Sequence, residues 1–401
     1  MNKSIFSIFK GDRVIWIILL FWALISSIVV FSSTSMLAWK HQSGNTMFYF
    51  IKHVFYLSLG SIVIFVFSRL SYKLLFKFST LFLAISCMLL LLTPFLGVNV
   101  NGASRWLKIP FIEVIFQPSD MAKCFLVVFL AKNLSVCQDS ASRKFAFLKC
   151  AGAVLLVCGL IVPSNFSTSF LVGLMALFLM FVARIPVKYL LIFVSVCIFA
   201  FFMLIVFLKA TGMENNSRLS TWAHRIEAFT NPNSKKANNS QAMQSRIAIA
   251  QGGIIGKGIG ASIQRNILPH PYSDFVYAII VEETGLVGGV FVLMLYLIFF
   301  YRCIKCVNSL ERTFPAFLVV GFSLNIMLQA LANMLVSVNI MPVTGQTLPL
   351  VSMGGTSIVF TSFQLGVILN ITRYAEKKED VVEIEDQQNF DDVTDYPIIA
   401  G

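Results

Sequence analysis

Ten apolar runs, each of a length to form a membrane-crossing helix of about 20 residues, fill most of this chain. They lie near 14–34, 46–68, 74–96, 117–134, 146–163, 166–184, 188–208, 274–301, 314–338 and 351–374. So many runs of that length cannot all be buried inside a water-soluble domain. The composition agrees: 57% of the residues are hydrophobic and 12% charged, against about 45–50% and a quarter in soluble globular domains. The expected fold class is all-α, a polytopic membrane protein of about ten transmembrane helices with a large outer loop, 209–273, between spans seven and eight. Residues 1–375 form one membrane domain in this reading. Residues 376–401, acidic and poor in large apolar side chains, read as a flexible extension.

Charge gives the orientation. With the N-terminus in the cytoplasm, the inner segments carry 18 Lys and Arg and the short outer loops five; eight more belong to 209–273, which is too long to count. Both termini are therefore expected inside, on the cytoplasmic side of the membrane. The net charge of +12 conceals nine acidic residues gathered between Glu376 and Asp395. Basic residues spread along a membrane chain read as headgroup anchors, so no nucleic-acid partner is expected. The first run is too long for a signal-peptide core, lacks a small-residue cleavage site and is expected to stay attached. Cysteines fall in spans or in and beside inner loops, where disulfides do not form. Cys303 and Cys306 have CxxC spacing but no second pair and no neighbouring His, so they read as ordinary thiols.

Four stretches on the outer side are polar where apolar residues would be cheaper. The first holds Arg105 in Asn101–Trp106, then Gln117–Lys123, with Pro118 suited to a first helical position and Asp120 to the first turn. Lys123 shares a helix face with Asp120. The pair is either an ion pair that makes two charges tolerable at the membrane edge, or a cation beside an anion site with Arg105 as a second cation. The second stretch is the outer loop, with an amphipathic helical pattern at Trp222–Phe229, a turn at Asn231–Ser234 and a glycine-rich run, 252–260, that contains Lys257. That run reads as tight turns or as backbone N–H groups open to a diphosphate; it lacks the order of a nucleotide loop. The third is His270–Phe275, leading into span eight, with Glu282 and Glu283 deeper. Asp274 is either an acid favoured by a helix N-terminus or a general base. The fourth is the amide stripe Asn325, Gln329 and Asn333 in span nine, expected to face a cavity. A bend with Pro342, Gly345, Pro349, Ser352, Gly354 and Gly355 follows it. His41, His53, His224 and His270 are scattered and form no tetrahedral metal site.

In order and spacing these pieces resemble the SEDS family (shape, elongation, division and sporulation), whose members FtsW and RodA polymerise peptidoglycan. The resemblance rests on NGASRW at 101–106, QPSDMAK at 117–123, RIEAFTNP at 225–232 and QAMQSRIAIAQGGIIGKGIG at 241–260. It also rests on PYSDFVYAIIVEETGLVGG at 271–289 and, most strongly, on QALANMLVSVNIMPVTGQTLPLVSMGGTS at 329–357. It implies a ten-span peptidoglycan glycosyltransferase that takes lipid II on the outer face, joins its disaccharides into glycan strands and releases undecaprenyl pyrophosphate.

Asp274 matches the family's essential Asp, with the implied role of deprotonating the acceptor sugar 4-hydroxyl. Arg105, Lys123 and Lys257 are the expected holders of the pyrophosphate, with Asp120, Asn333 and Ser352 as further substrate-binding residues. No metal site is assigned and no cofactor is implied beyond room for a divalent cation, Mg2+ or Mn2+. The implied partners are lipid II, the growing glycan strand, a class B penicillin-binding protein and other divisome membrane proteins. Three positions depart from the family pattern: Asp120 for Glu, Met353 for Tyr, and Asn165 for the carboxylate of a PDxGT-like motif. Thr347 before Leu348-Pro349 looks more like FtsW than RodA, which favours septal synthesis over elongation. A lipid II flippase is the alternative from another functional class.

Overall fold

The computed structural model describes residues 11–41, 44–100, 103–108, 115–136, 140–210, 241–268 and 271–394. Trp222–Phe229, Asn231–Ser234, Asn101, Gly102, His224 and His270 lie outside the described residues. All ten expected spans are helices. They are α1 (Arg13–Ser33), α3 (Thr46–Arg69), α4 (Lys73–Leu96), α5 (Pro118–Val136) and α6 (Ser140–Ile161), then α7 (Phe166–Val182), α8 (Val187–Ala210), α10 (Val276–Asn308), α11 (Thr313–Ser337) and α12 (Thr356–Thr394). Two shorter helices, α2 (Ser35–His41) and α9 (Gln241–Gly252), lie between spans. Among the described residues six helices are long and apolar enough, by length and composition, to cross a membrane: α1, α3, α4, α6, α10 and α11. Of the other four, α7 is apolar but shorter, and α8 is apolar over Val187–Ala200. The remaining two, α5 and α12, bury polar side chains such as Asp120, Lys123, Gln364 and Asn370. The chain is a multi-pass helical membrane protein.

The structure adds a small sheet to the all-α expectation. Strands β1 (Val98–Val100), β2 (Ala103–Lys108) and β3 (Ile115–Phe116) pair antiparallel in the order β1-β2-β3. Val98 faces Trp106 and Leu107 faces Phe116, pairs whose β-branched and aromatic side chains favour strands. Span ten begins at Thr356 and not at 351, because Leu350 and Gly355 have positive φ and hold the approach in turns. At its other end α12 continues to Thr394, past the position where the sequence suggested a flexible extension. Glu, Lys and Gln in that stretch are good helix formers.

Helix α11 sits at the centre, with α5, α7, α10 and α12 around it. Close approach is made by glycine. A Cβ on Gly321 would lie 2.5 Å from Val127 of α5, and one on Gly366 of α12 2.9 Å from the Ile64 carbonyl oxygen of α3. Small residues at such crossings let backbones meet, which is how helices associate where lipid competes equally for apolar side chains. At one end of the bundle Asp12 ties three helices. Its Oδ1 caps α1 by accepting from Val14 N–H (2.8 Å), and its Oδ2 accepts from Arg302 of α10 (2.7 Å). Its own N–H donates to Thr372 Oγ1 of α12 (3.2 Å). Residues 12 and 372 therefore lie on the same side, as an even number of crossings requires. The opposite end carries Asp274.

Candidate active site

Asp274 lies half-buried in the turn 271–275, just before α10 begins at Val276. Three backbone carbonyls of that turn are held by span nine and the bend after it. Asn333 of α11 donates its amide to the Asp274 carbonyl (2.8 Å), Ser352 Oγ donates to the Ser273 carbonyl (2.6 Å), and the Met353 N–H donates to the Tyr272 carbonyl (2.9 Å). The carboxylate itself accepts from Ser273 Oγ at Oδ1 (2.8 Å). Its Oδ2 faces Gly345, where even a Cβ would stand 3.6 Å away; φ there is +69°, a conformation that favours glycine. The backbone is clamped while one face of the acid stays uncovered by side chain from Gly345. The Tyr272 phenol beside it is pushed above its ordinary value of 10 by burial, by the Asp274 charge and by Tyr49, so it stays protonated at neutral pH.

The polar residues expected to line a cavity are joined into one network. The Asn333 amide that holds Asp274 also donates to the Gln346 carbonyl (2.7 Å), and Gln346 donates to Thr168 Oγ1 of α7 (2.7 Å). Asn165 replaces a carboxylate of the family pattern and caps α7, accepting from the Thr168 N–H. One turn from Asn333, Gln329 donates to the Thr347 carbonyl (3.0 Å) and accepts from Lys123 Nζ (3.3 Å). Lys123 and Asp120 form a buried ion pair at 2.8 Å. Below them Asn325 and Gln364 share a hydrogen bond of 2.9 Å. Arg105 reaches from β2 to donate to the Ser164 carbonyl (2.6 Å), in the turn before α7. The starts of α5, α7, α10 and α12 all face this end of the bundle. Their helix dipoles favour negative charge there, as do Lys123 and Arg105.

Lys257 is engaged elsewhere. Its Nζ pairs with Glu282 Oε1 at 3.0 Å and donates to Gln251 Oε1 at 2.6 Å. Glu282, fully buried, also accepts from Ser262 Oγ and from the N–H groups of Ile263 (3.1 Å) and Gln264 (3.3 Å). Glu283 turns to α1 and accepts from Ser32 Oγ, to which Arg265 also donates (3.2 Å). The two neighbouring acids are thus structural anchors with separate partners. The glycine run makes tight turns: the N–H groups of Lys257 and Gly258 donate to the Glu282 and Glu283 carbonyls (3.0 and 2.9 Å), and are not aimed at a ligand. A Cβ on Gly256 would lie 2.3 Å from the Glu283 carbonyl oxygen.

Sequence reasoning missed Gln346 and gave Tyr272 and Gly345 no role beside Asp274, though both fall in stretches it singled out. Their types are unremarkable in a bend, and only tertiary contacts show their use. Among the described residues no three His, Cys, Asp or Glu side chains cluster to hold a metal. The structure leaves His53 with Ser26 (2.7 Å), between α3 and α1.

Comparison with known proteins places this geometry. Residues 12–377 match the family model for cell cycle proteins, FTSW_RODA_SPOVE. The probable peptidoglycan glycosyltransferase FtsW of Coxiella burnetii is 30% identical over 90% of this chain and 96% of its own length. Stage V sporulation protein E of Bacillus subtilis is 29% identical over 91% and 97%. Among solved structures, a peptidoglycan synthase complex described for coordinating polymerization and crosslinking contains a chain with 25% identity and a TM-score of 0.67, over 89% of this chain and 97% of that one. The rod shape determining protein RodA of Thermus thermophilus, at 24% identity, shares the fold with a TM-score of 0.64 over 90% and 97%.

Proposed function

This chain belongs to the FTSW_RODA_SPOVE family, and on that premise we propose that it is a peptidoglycan glycosyltransferase that polymerises lipid II. The observation that carries the reading is Asp274: a half-buried acid with a clamped backbone and only a glycine, Gly345, beside its Oδ2, at the mouth of a buried polar network with two cations. In the proposed reaction Asp274 accepts the proton of the acceptor sugar 4-hydroxyl. The hydroxyl oxygen bonds to the anomeric carbon of the donor, and the bond from that carbon to the diphosphate oxygen breaks. Both electrons leave with undecaprenyl diphosphate. Lys123 and Arg105, with the helix N-termini beside them, stabilise the charge that grows on the leaving group. Asp120 pairs with Lys123 inside the bundle, and Lys123 also donates to Gln329.

Three residues receive revised roles. Asn333 and Ser352, expected to bind substrate, donate to the carbonyls of Asp274 and Ser273; we assign them to positioning the acid. Lys257 is assigned to the glycine loop through Glu282, not to the diphosphate. A divalent cation, Mg2+ or Mn2+, would be carried chiefly by the substrate diphosphate, with Asp274 the one site carboxylate not paired with a cation in the network described above.

The proposed setting is the bacterial cytoplasmic membrane, with both termini inside, and septal synthesis with a crosslinking class B penicillin-binding protein. Support comes from the positive-inside charge count, from relatives named FtsW and from the similar chain in a synthase complex. The reading is tested by incubating the purified protein with lipid II, alone and with that partner, and separating the products by size. Glycan strands are the expected result. Transfer of lipid II across liposomes without any polymer would move the chain to the flippase class.

A further inference from the structure

We infer that the glycine loop 253–267 is a membrane-seated apron, embedded in the acyl chains of the leaflet on the Asp274 side and not exposed to water. The loop is inside out for a water-facing segment. Its five isoleucines, Ile254, Ile255, Ile259, Ile263 and Ile267, are between 54 and 85% exposed. Its two charged residues turn inward: Lys257 to buried Glu282, and Arg265 to Ser32 of α1. A loop in water presents its charges and hides its isoleucines; a surface in hydrocarbon does the reverse.

Part of the backbone is arranged as that environment requires. Irregular chain at membrane depth must have its N–H and C=O groups satisfied internally. The Gly256 N–H donates to Gly252 at the end of α9, that of Ala261 within the loop and those of Lys257 and Gly258 to α10, and the carbonyls of Gly253 and Ile254 accept from Leu286 and Val287. Those bonds fit against the break in α10 at Gly285, where φ is 74° and ψ is −173°. A Cβ on Gly285 would stand 2.2 Å from the Ile254 carbonyl oxygen, so glycine is what lets loop and helix join.

Depth and continuity name lipid as the occupant. Arg302 of α10, paired with Asp12, is taken as the far edge of the hydrocarbon layer. A hydrocarbon layer about 30 Å thick takes roughly 20 residues of helix, so its near edge falls close to residue 282. Leu286 and Val287, 55 and 64% exposed, lie just inside it, and Ile254 and Ile255 lie level with them. The exposed face of α10 continues below through Val290, Phe291 and Met294. The loop widens that lipid-facing strip beside the start of α10, the helix that follows Asp274.

The test is depth-resolved quenching. The full chain carrying Ile255→Trp, and separately Ile259→Trp, is reconstituted in phosphatidylethanolamine–phosphatidylglycerol vesicles, and its emission is compared with that of the unsubstituted protein. Met294→Trp serves as the control inside the span. The added tryptophan is expected to lose most of its emission to lipids brominated in the upper acyl chain and to resist aqueous iodide. Quenching by iodide without bromolipid quenching would place the loop in water and overturn the inference. Protection from both quenchers would overturn it too, by showing that protein covers the loop. None of these outcomes depends on glycan synthesis, so failure here is distinct from failure of the proposed reaction.

Discussion

Asn333 holds the carbonyls of Asp274 and Gln346 with one amide nitrogen, so its removal acts on the reaction through the position of the acid. Asn333→Leu leaves both buried carbonyls short of a donor, at about 1–3 kcal/mol each. The expected outcome is a kcat at least tenfold lower with KM for lipid II little changed, measured by steady-state polymerisation. Lys123 poses a sharper question, since Lys123→Met alone leaves Asp120 buried and unpaired, at about 3–5 kcal/mol. The double variant Asp120→Asn with Lys123→Met removes that penalty. If Lys123 holds the leaving group, the double variant regains thermal stability but not turnover; recovery of turnover as well would reduce Lys123 to a neutralising partner. At this scale much was legible in the sequence. A Lys, an Asp and an amide stripe inside apolar runs are costly and draw notice. Gln346 drew none, because its bond to Thr168 joins positions far apart in the chain.

The break in α10 is the element on which both the loop and the acid depend. Gly285→Ala would force a Cβ onto the Ile254 carbonyl and a left-handed φ onto alanine. The expected result is a melting temperature lower by several degrees in detergent, with the loop 253–267 opened to limited proteolysis. Glu282→Ala should do the same more strongly, because Lys257 and three further donors lose their acceptor; Glu282→Gln should be milder. The ten spans were readable from apolar length alone. Their ends were not: α12 starts at Thr356 because Leu350 and Gly355 adopt positive φ, and a hydropathy reading does not see backbone angles. The three-stranded sheet escaped for a related reason. Its strands are two to six residues long, too short for periodicity to register, and they are held by pairing across turns.

At the level of the whole molecule, polar anchors at both ends of the bundle fix the spans against each other. Asp12 joins α1, α10 and α12 at one end; Asn333, Ser352 and Gln346 join α7, α11 and the start of α10 at the other. Asp12→Ala removes a cap and the carboxylate that pairs with Arg302, whose side chain is 29% exposed. The cap alone is worth about 1 kcal/mol, and the expected effect is a lower melting temperature with polymerisation per folded molecule unchanged. The central claim rests on Asp274, and one comparison tests it most directly: polymerisation of lipid II by the reconstituted wild type and by Asp274→Asn, at matched folding and with the crosslinking partner present. A general base contributes roughly 10²–10⁴-fold, so wild type should give glycan strands and the variant at most a hundredth of that rate. Equal rates from the two would contradict the assignment and remove Asp274 from the chemistry.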